Sequence, residues 1–182
     1  MKHKIRKQIK EKIKSYSDLE KSIKSAIIMD KLFNEEEFKK ATLVMFYVSL
    51  KDEVNTFTMI DEAIKMGKRV CVPVIFKEEK RLIAGEIKDR EKDLERQHFG
   101  IHQPIAGHVK EIPLEDIGLV VVPGIAFDKN NVRLGRGHGY YDRFLCGLPK
   151  KTKTIGLAFD FQVLEYLPRD SHDVPVWKTI TA

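Results

Sequence analysis

Cysteine is scarce in this chain: two of 182 residues, Cys71 and Cys146. Two thiols cannot build the disulfide framework of a small secreted domain, and they argue against a cysteine-based zinc centre. A reduced, cytoplasmic setting with inert buried thiols is the expectation. Long apolar runs are missing too. The densest, 41–50 and 117–127, are strand-sized and fall short of the ~20 residues a membrane helix needs. The start, Met1-Lys2-His3-Lys4-Ile5-Arg6-Lys7, has no apolar stretch, so neither a signal peptide nor membrane association is expected. Material for a core is not lacking. Hydrophobic residues make up 42% and charged residues 33%. The first figure excludes disorder and the second a membrane protein. The length suits one domain, expected to span 1–182.

The net charge is +6. Residues 1–14 hold seven basic side chains against Glu11, and residues 133–153 hold six against Asp142. The remainder is therefore acidic. Two basic segments far apart in sequence build one anion site if they meet in space. Read alone, the N-terminal segment is more often a solvated helix face. The expectation is that Lys2, Arg6 and Arg136 come together.

Ile5, Ile9 and Ile13 lie four apart and predict a first helix, with Lys2 and Arg6 sharing a neighbouring face. Ser17 and Glu20 have capping-box spacing. They open a second helix with Leu19, Ile23, Ala26 and Ile27 as its apolar face. Asn34-Glu35-Glu36-Glu37 reads as another cap. Residues 41–50 form a continuous β-branched and aromatic run, as a strand buried on both faces does. A helix over 56–66 ends at Gly67. Strands follow over 69–75, with Pro73 expected near the end, and over 81–87. Residues 88–116 read as loop with short structure. A strand over 118–122, a helix over 139–146, a strand over 154–159, a short helix over 160–167 and a strand over 179–182 complete the chain. Strands alternating with helices predict an α/β layer fold with a mainly parallel sheet. Ligands then sit beyond the strands' carboxyl ends, which points at 48–56, 123–139 and 159–173.

The stretch from Pro123 to Leu145 reads PGIAFDKNNVRLGRGHGYYDRFL. Gly135, Gly137 and Gly139 let backbone N–H groups approach a ligand, and they lead into a helix start that favours anions. Arg133 and Arg136 can fork onto phosphate oxygens. Tyr140 and Tyr141 offer a flat face or a hydroxyl. Asp142 stands in the first helical turn, where a carboxylate can hold Mg²⁺. Gly139 is followed by tyrosines and not Lys-Ser/Thr, so this is no Walker loop, nor is it the dinucleotide fingerprint.

This run resembles the signature of the 5-formyltetrahydrofolate cyclo-ligase family. So do Lys2…Arg6, Tyr47-Val48-Ser49…Glu53…Thr56, and Phe161-Gln162 with Leu167-Pro168 followed by His172-Asp173-Val174-Pro175-Val176. The resemblance implies a three-layer α/β/α Rossmann-like sandwich. It implies an enzyme that joins two folate nitrogens through the formyl carbon of 5-formyltetrahydrofolate, consuming ATP and requiring Mg²⁺. By position, it implies ATP contacts from Lys2, His3, Lys4, Ile5 and Arg6, and from the loop Arg133, Leu134, Gly135, Arg136, Gly137, His138, Gly139, Tyr140 and Tyr141. It implies folate contacts from Val48 and Glu53 and from Arg136 through Tyr140. Arg136 and Tyr140 would act in catalysis, and Asp142 and Asp173 would hold the metal. A monomer acting on a folate, polyglutamated or not, is expected, with no nucleic acid partner. The alternative is a non-catalytic folate- or nucleotide-binding relative.

Read alone, Glu53 is more often a solvated loop carboxylate, and Asp173 serves a turn or cap as readily as a metal. His98, His102 and His108 lack a ligand pattern and read, with His172, as structural or exposed. Trp177 reads as packing. His138 stands where the family has Lys or Gly. Asn131 stands where the family has Gly, in a turn that asparagine can also enter.

Overall fold

The computed structural model describes residues 1–96, 102–105 and 110–182. His98 and His108 lie outside the described residues.

Helix α1 (Lys2–Ser15) forms on the expected isoleucine spacing and buries Ile9 and Ile13. Ser17 caps α2 (Asp18–Asn34). Its hydroxyl accepts the Glu20 N–H, and the Glu20 carboxylate accepts the Ser17 N–H. The buried face of α2 is not the one expected. Leu19, Ile23 and Ile27 are exposed, while Ser25, Ile28 and Leu32 are buried. Both stripes have helical spacing. The one chosen lets Ser25 Oγ accept the Asn55 N–H and sets Ile28 and Leu32 on the sheet. Helix α3 (Glu36–Lys40) is capped by Glu35 and not by Asn34, which ends α2 with its amide on the Asp30 carbonyl.

Strand β1 (Leu43–Met45) is only the start of the apolar run. The Phe46 N–H still bonds the Cys71 carbonyl, then the chain leaves the ladder. Tyr47 and Ser49 stay buried through Thr56, whose hydroxyl donates to the Tyr47 carbonyl. An apolar run reports burial, and pairing is a separate matter. Helix α4 (Phe57–Lys65) leads to β2 (Arg69–Phe76) and its hairpin partner β3 (Arg81–Ile87). Pro73 sits mid-strand opposite Ala84. The β1 pairing ends at Cys71, so Pro73 lies in a stretch held by β3 alone, as on an edge strand.

The short pieces expected over 88–116 are α5 (Arg90–Asp93), β4 (Leu94–Arg96), β5 (His102–Pro104) and β6 (Lys110–Glu111). His102 stands edge-on to Phe57, with ring centroids 5.5 Å apart. Then come β7 (Leu119–Val122), β8 (Ala126–Asp128), β9 (Arg133–Leu134), α6 (Tyr140–Cys146) and β10 (Lys153–Ala158). The helix expected over 160–167 is absent. A 3₁₀ turn at Asp160–Gln162 gives way to β11 (Val163–Leu164). Gln162 is the reason. Its buried amide accepts the Phe159 N–H and donates to the Ile125 carbonyl, which delivers Val163 to pairing with Phe127. Strand β12 (Lys178–Thr181) closes the chain.

Among the described residues the main sheet runs β12-β10-β7-β1-β2-β3-β6. The first five strands are parallel, and β3 and β6 add an antiparallel edge. Alternate side chains divide between two cores. Val44, Leu119, Val121, Ile155 and Leu157 face α2, α3 and α4. Leu43, Met45, Val120 and Val122 face Phe144 and Leu145 of α6. The result is helix, sheet, helix, in agreement with the period reading. A third cluster places Ile9 and Ile13 of α1 on Ile125, Ala126, Val132, Leu134 and Leu167. That cluster docks the basic N-terminal helix on the small β11-β8-β9 sheet. No helix among the described residues is long and apolar enough to cross a membrane. Cys71 is buried, and burial pushes its thiol up to about 12. Cys146 is exposed, contrary to expectation, because it ends the short α6.

Candidate functional site

The three segments singled out beyond the strands' carboxyl ends meet, and α1 closes one side. Asn131 takes the left-handed turn with φ near 60°. The buried Asp128 carboxylate fixes that turn by accepting the Asn130 and Val132 N–H groups at Oδ1 and the Leu167 N–H at Oδ2. The chain then pairs β9 with β8 and enters the loop. Gly139 adopts φ near 68° immediately before α6, a conformation that costs other L-residues about 1–2 kcal/mol. A Cβ at Gly135 would stand 2.7 Å from Arg133 Nη1, so the arginine side chain would have to shift.

The two loop arginines are placed differently. The Arg133 guanidinium is buried and donates to Asp142 Oδ1 at 2.8 Å, with its Cζ 5.7 Å from the Tyr141 ring centroid. Its Nε has no hydrogen-bond partner among the described residues. Arg136 is one-third exposed and reaches to the 48–56 segment. Its Nη2 donates to Asp52 Oδ1 at 2.7 Å and to Glu53 Oε1 at 2.8 Å, and its Nε also donates to Glu53 Oε1. These bonds outweigh the burial that opposes its charge, so the guanidinium is held more firmly protonated than usual. Glu53 is itself held, because its Oε2 accepts the Leu50 N–H. Val48 is half-buried at the rim of the core.

From α1, Arg6 Nε donates to the Gly135 carbonyl at 2.8 Å, and its guanidinium lies against Gly137. Lys2 Nζ lies between Asp170 Oδ2 at 2.7 Å and Asp173 Oδ2 at 2.5 Å. Burial opposes the Lys2 charge, but the two carboxylates override it and raise its affinity for the proton. Burial likewise pushes the Asp173 carboxyl up, and the Asp170 N–H and Lys2 pull it net below its usual range. The two basic segments therefore meet at the glycine loop through Arg6, while Lys2 and Arg136 are each tied to a pair of carboxylates. His3 and Lys4 are exposed, Ile5 is half-buried and the Leu134 side chain is buried.

Asp142 and Asp173 are brought into one neighbourhood, since Asp142 Oδ1 also accepts the Val174 N–H at 3.4 Å. Ligand atoms of Asp170, His172 and Asp173 lie within 4.8 Å of one another. Asp170 and Asp173 present carboxylate oxygens, the donors a hard divalent cation takes, and Lys2 holds one oxygen of each. His138 is exposed at the loop's tip, its ring 6.2 Å from that of Tyr140. Arg143 pins this tip by donating to the His138 and Lys80 carbonyls. The Tyr141 hydroxyl is buried without a partner among the described residues, and burial, with Glu53 nearby, raises its pKa.

Sequence reading passed over Asp52 and Asp170. Each adjoins a residue it did pick out, Asp52 beside Glu53 and Asp170 three before Asp173, and a search for second carboxylates near those positions would have found them.

The family model of the 5-formyltetrahydrofolate cyclo-ligase family matches residues 1–182. The mouse 5-formyltetrahydrofolate cyclo-ligase is 31% identical over 180 residues, covering 94% of this chain and 89% of the mouse protein. The Escherichia coli K12 cyclo-ligase is 31% identical over 146 residues, covering 78% of each. The solution structure of Aquifex aeolicus 5,10-methenyltetrahydrofolate synthetase superposes with a TM-score of 0.85 at 34% identity, covering 99% of this chain and 89% of that one. The chain belongs to the 5-formyltetrahydrofolate cyclo-ligase family and, like its relatives, is an enzyme.

Proposed function

We propose that this chain converts 5-formyltetrahydrofolate to 5,10-methenyltetrahydrofolate with ATP and Mg²⁺, as a cytoplasmic monomer folded as one domain over 1–182. The observation that carries the proposal is the family match along the whole chain, joined to basic groups gathered at the glycine loop.

The formyl oxygen is a poor leaving group. Transfer of the γ-phosphoryl of ATP to it breaks the bond to ADP and makes that oxygen part of a phosphate. The second folate nitrogen then attacks the carbon, a C–N bond forms, phosphate departs, and the nitrogen's proton is lost to solvent. Such chemistry is mostly positioning and neutralisation of moving charge. Lys2 and Arg6 would hold ATP phosphates from α1. The loop from Arg133 to Tyr141 would wrap them, with Leu134 and the glycines contributing backbone and Arg133 acting through Asp142. Arg136 and Tyr140 would lie between the nucleotide and the folate. Val48 and Glu53 would receive the pterin, Glu53 through its N–H donors. Asp142 and Asp173 would hold Mg²⁺, which would supply charge neutralisation at the phosphates.

ADP release should require 5-formyltetrahydrofolate and match it in stoichiometry. ADP formed at the same rate without the folate would sink the reading.

A further inference from the structure

We infer that Asp52 is a positioning residue for the proposed reaction: it keeps Arg136 in place when Glu53 is given over to the substrate. The inference rests on the proposed folate role of Glu53.

Arg136 has two carboxylate partners on one short segment, and they are not equivalent. Glu53 Oε1 takes both Nε and Nη2 of the guanidinium. Its other oxygen is occupied by the Leu50 N–H. Arg136 therefore competes with any N–H donor of an incoming ring for the same Glu53 oxygen. Asp52 is in a different position. Its Oδ1 meets Nη2 at 2.7 Å, and its side chain is one-third exposed at the rim. Glu53, by contrast, is 12% exposed and turned inward. When Glu53 swings its hydrogen-bonding capacity to the substrate, Asp52 remains as the anchor of Arg136. The guanidinium's Nη1 makes no hydrogen bond among the described residues and stays available to an anion. Without Asp52, Glu53 is the only carboxylate left for Arg136 among the described residues, and the substrate must displace the guanidinium from it.

A solvated pair of this kind contributes little to folding, roughly 0–1 kcal/mol. The expected signature is therefore kinetic. Asp52→Asn should raise the KM for 5-formyltetrahydrofolate about five- to tenfold, a little over 1 kcal/mol, with kcat falling far less than the loss expected of Arg136→Ala and the melting temperature unchanged. Asp52→Glu should restore most of the loss. In an Arg136→Ala background, where there is no guanidinium to anchor, Asp52→Asn should not weaken equilibrium binding of the folate further. An unchanged KM in Asp52→Asn overturns the inference. So does an equal loss of folate binding with and without Arg136, which would make Asp52 a direct contact. A wild-type protein that binds the folate and forms no product refutes the proposed function alone, since the binding cycle still decides Asp52. A wild-type protein that binds no folate refutes both.

Discussion

Arg133 and Arg136 stand three residues apart on one loop and end in opposite surroundings. Arg133 turns inward to Asp142 and is nearly inaccessible. Arg136 crosses the cleft to Asp52 and Glu53 and keeps a third of its side chain in solvent. Residue type alone makes both look like phosphate forks. The difference arises from β9, which holds Arg133 in the ladder with β8 and sends its side chain beneath the loop. Arg136 follows Gly135, outside any ladder, and is free to reach outward. One arginine builds the loop and the other works from it.

The widest separation should appear with Arg133→Ala. It strips the half-buried Asp142 carboxylate of its buried partner and should cost about 3 kcal/mol of stability, read from denaturant unfolding. A loss below 1 kcal/mol would return Arg133 to the solvent-facing class. Arg136→Ala should do the reverse. Turnover should fall about a hundredfold, as when a charge-stabilising donor is removed, with stability changed by less than ~1 kcal/mol. Unchanged turnover would remove Arg136 from the site.

The Lys2 clamp sharpens the comparison at the smallest scale, because it too is an exchangeable pair. Its contribution is read as the melting difference between wild type and Lys2→Met. Asp173 titrates below its usual 3.8 in the folded chain, so its share is present above 3.8 and fades as pH falls through the lowered value. Lys2 titrates above its usual 10.5, so its share is whole below 10.5 and fades as pH rises through the raised value. The melting difference should be flat from about pH 5 to 9. A change inside that range would contradict a clamp made by Lys2, Asp170 and Asp173 alone and would bring in His172, whose Nε2 lies 4.0 Å from Asp173 Oδ1.

Much of this was legible in the sequence. Period-four isoleucines gave α1, Ser17 and Glu20 gave the cap of α2, and continuous apolar runs gave the parallel strands. The convergence of three loops followed from the α/β rule. What was not legible depended on partners distant in sequence. The α2 stripe was decided by Asn55 meeting Ser25, and the lost 160–167 helix by Gln162 meeting Ile125. Likewise, no local pattern separates Arg133 from Arg136, because Asp142 and Asp52 select them only in the folded chain.

The most direct test of the account is the near-ultraviolet absorbance of the methenyl product, followed with 5-formyltetrahydrofolate and Mg²⁺, with and without ATP. The account predicts absorbance that grows only when ATP is present. No absorbance with all three present, or equal absorbance without ATP, would contradict it.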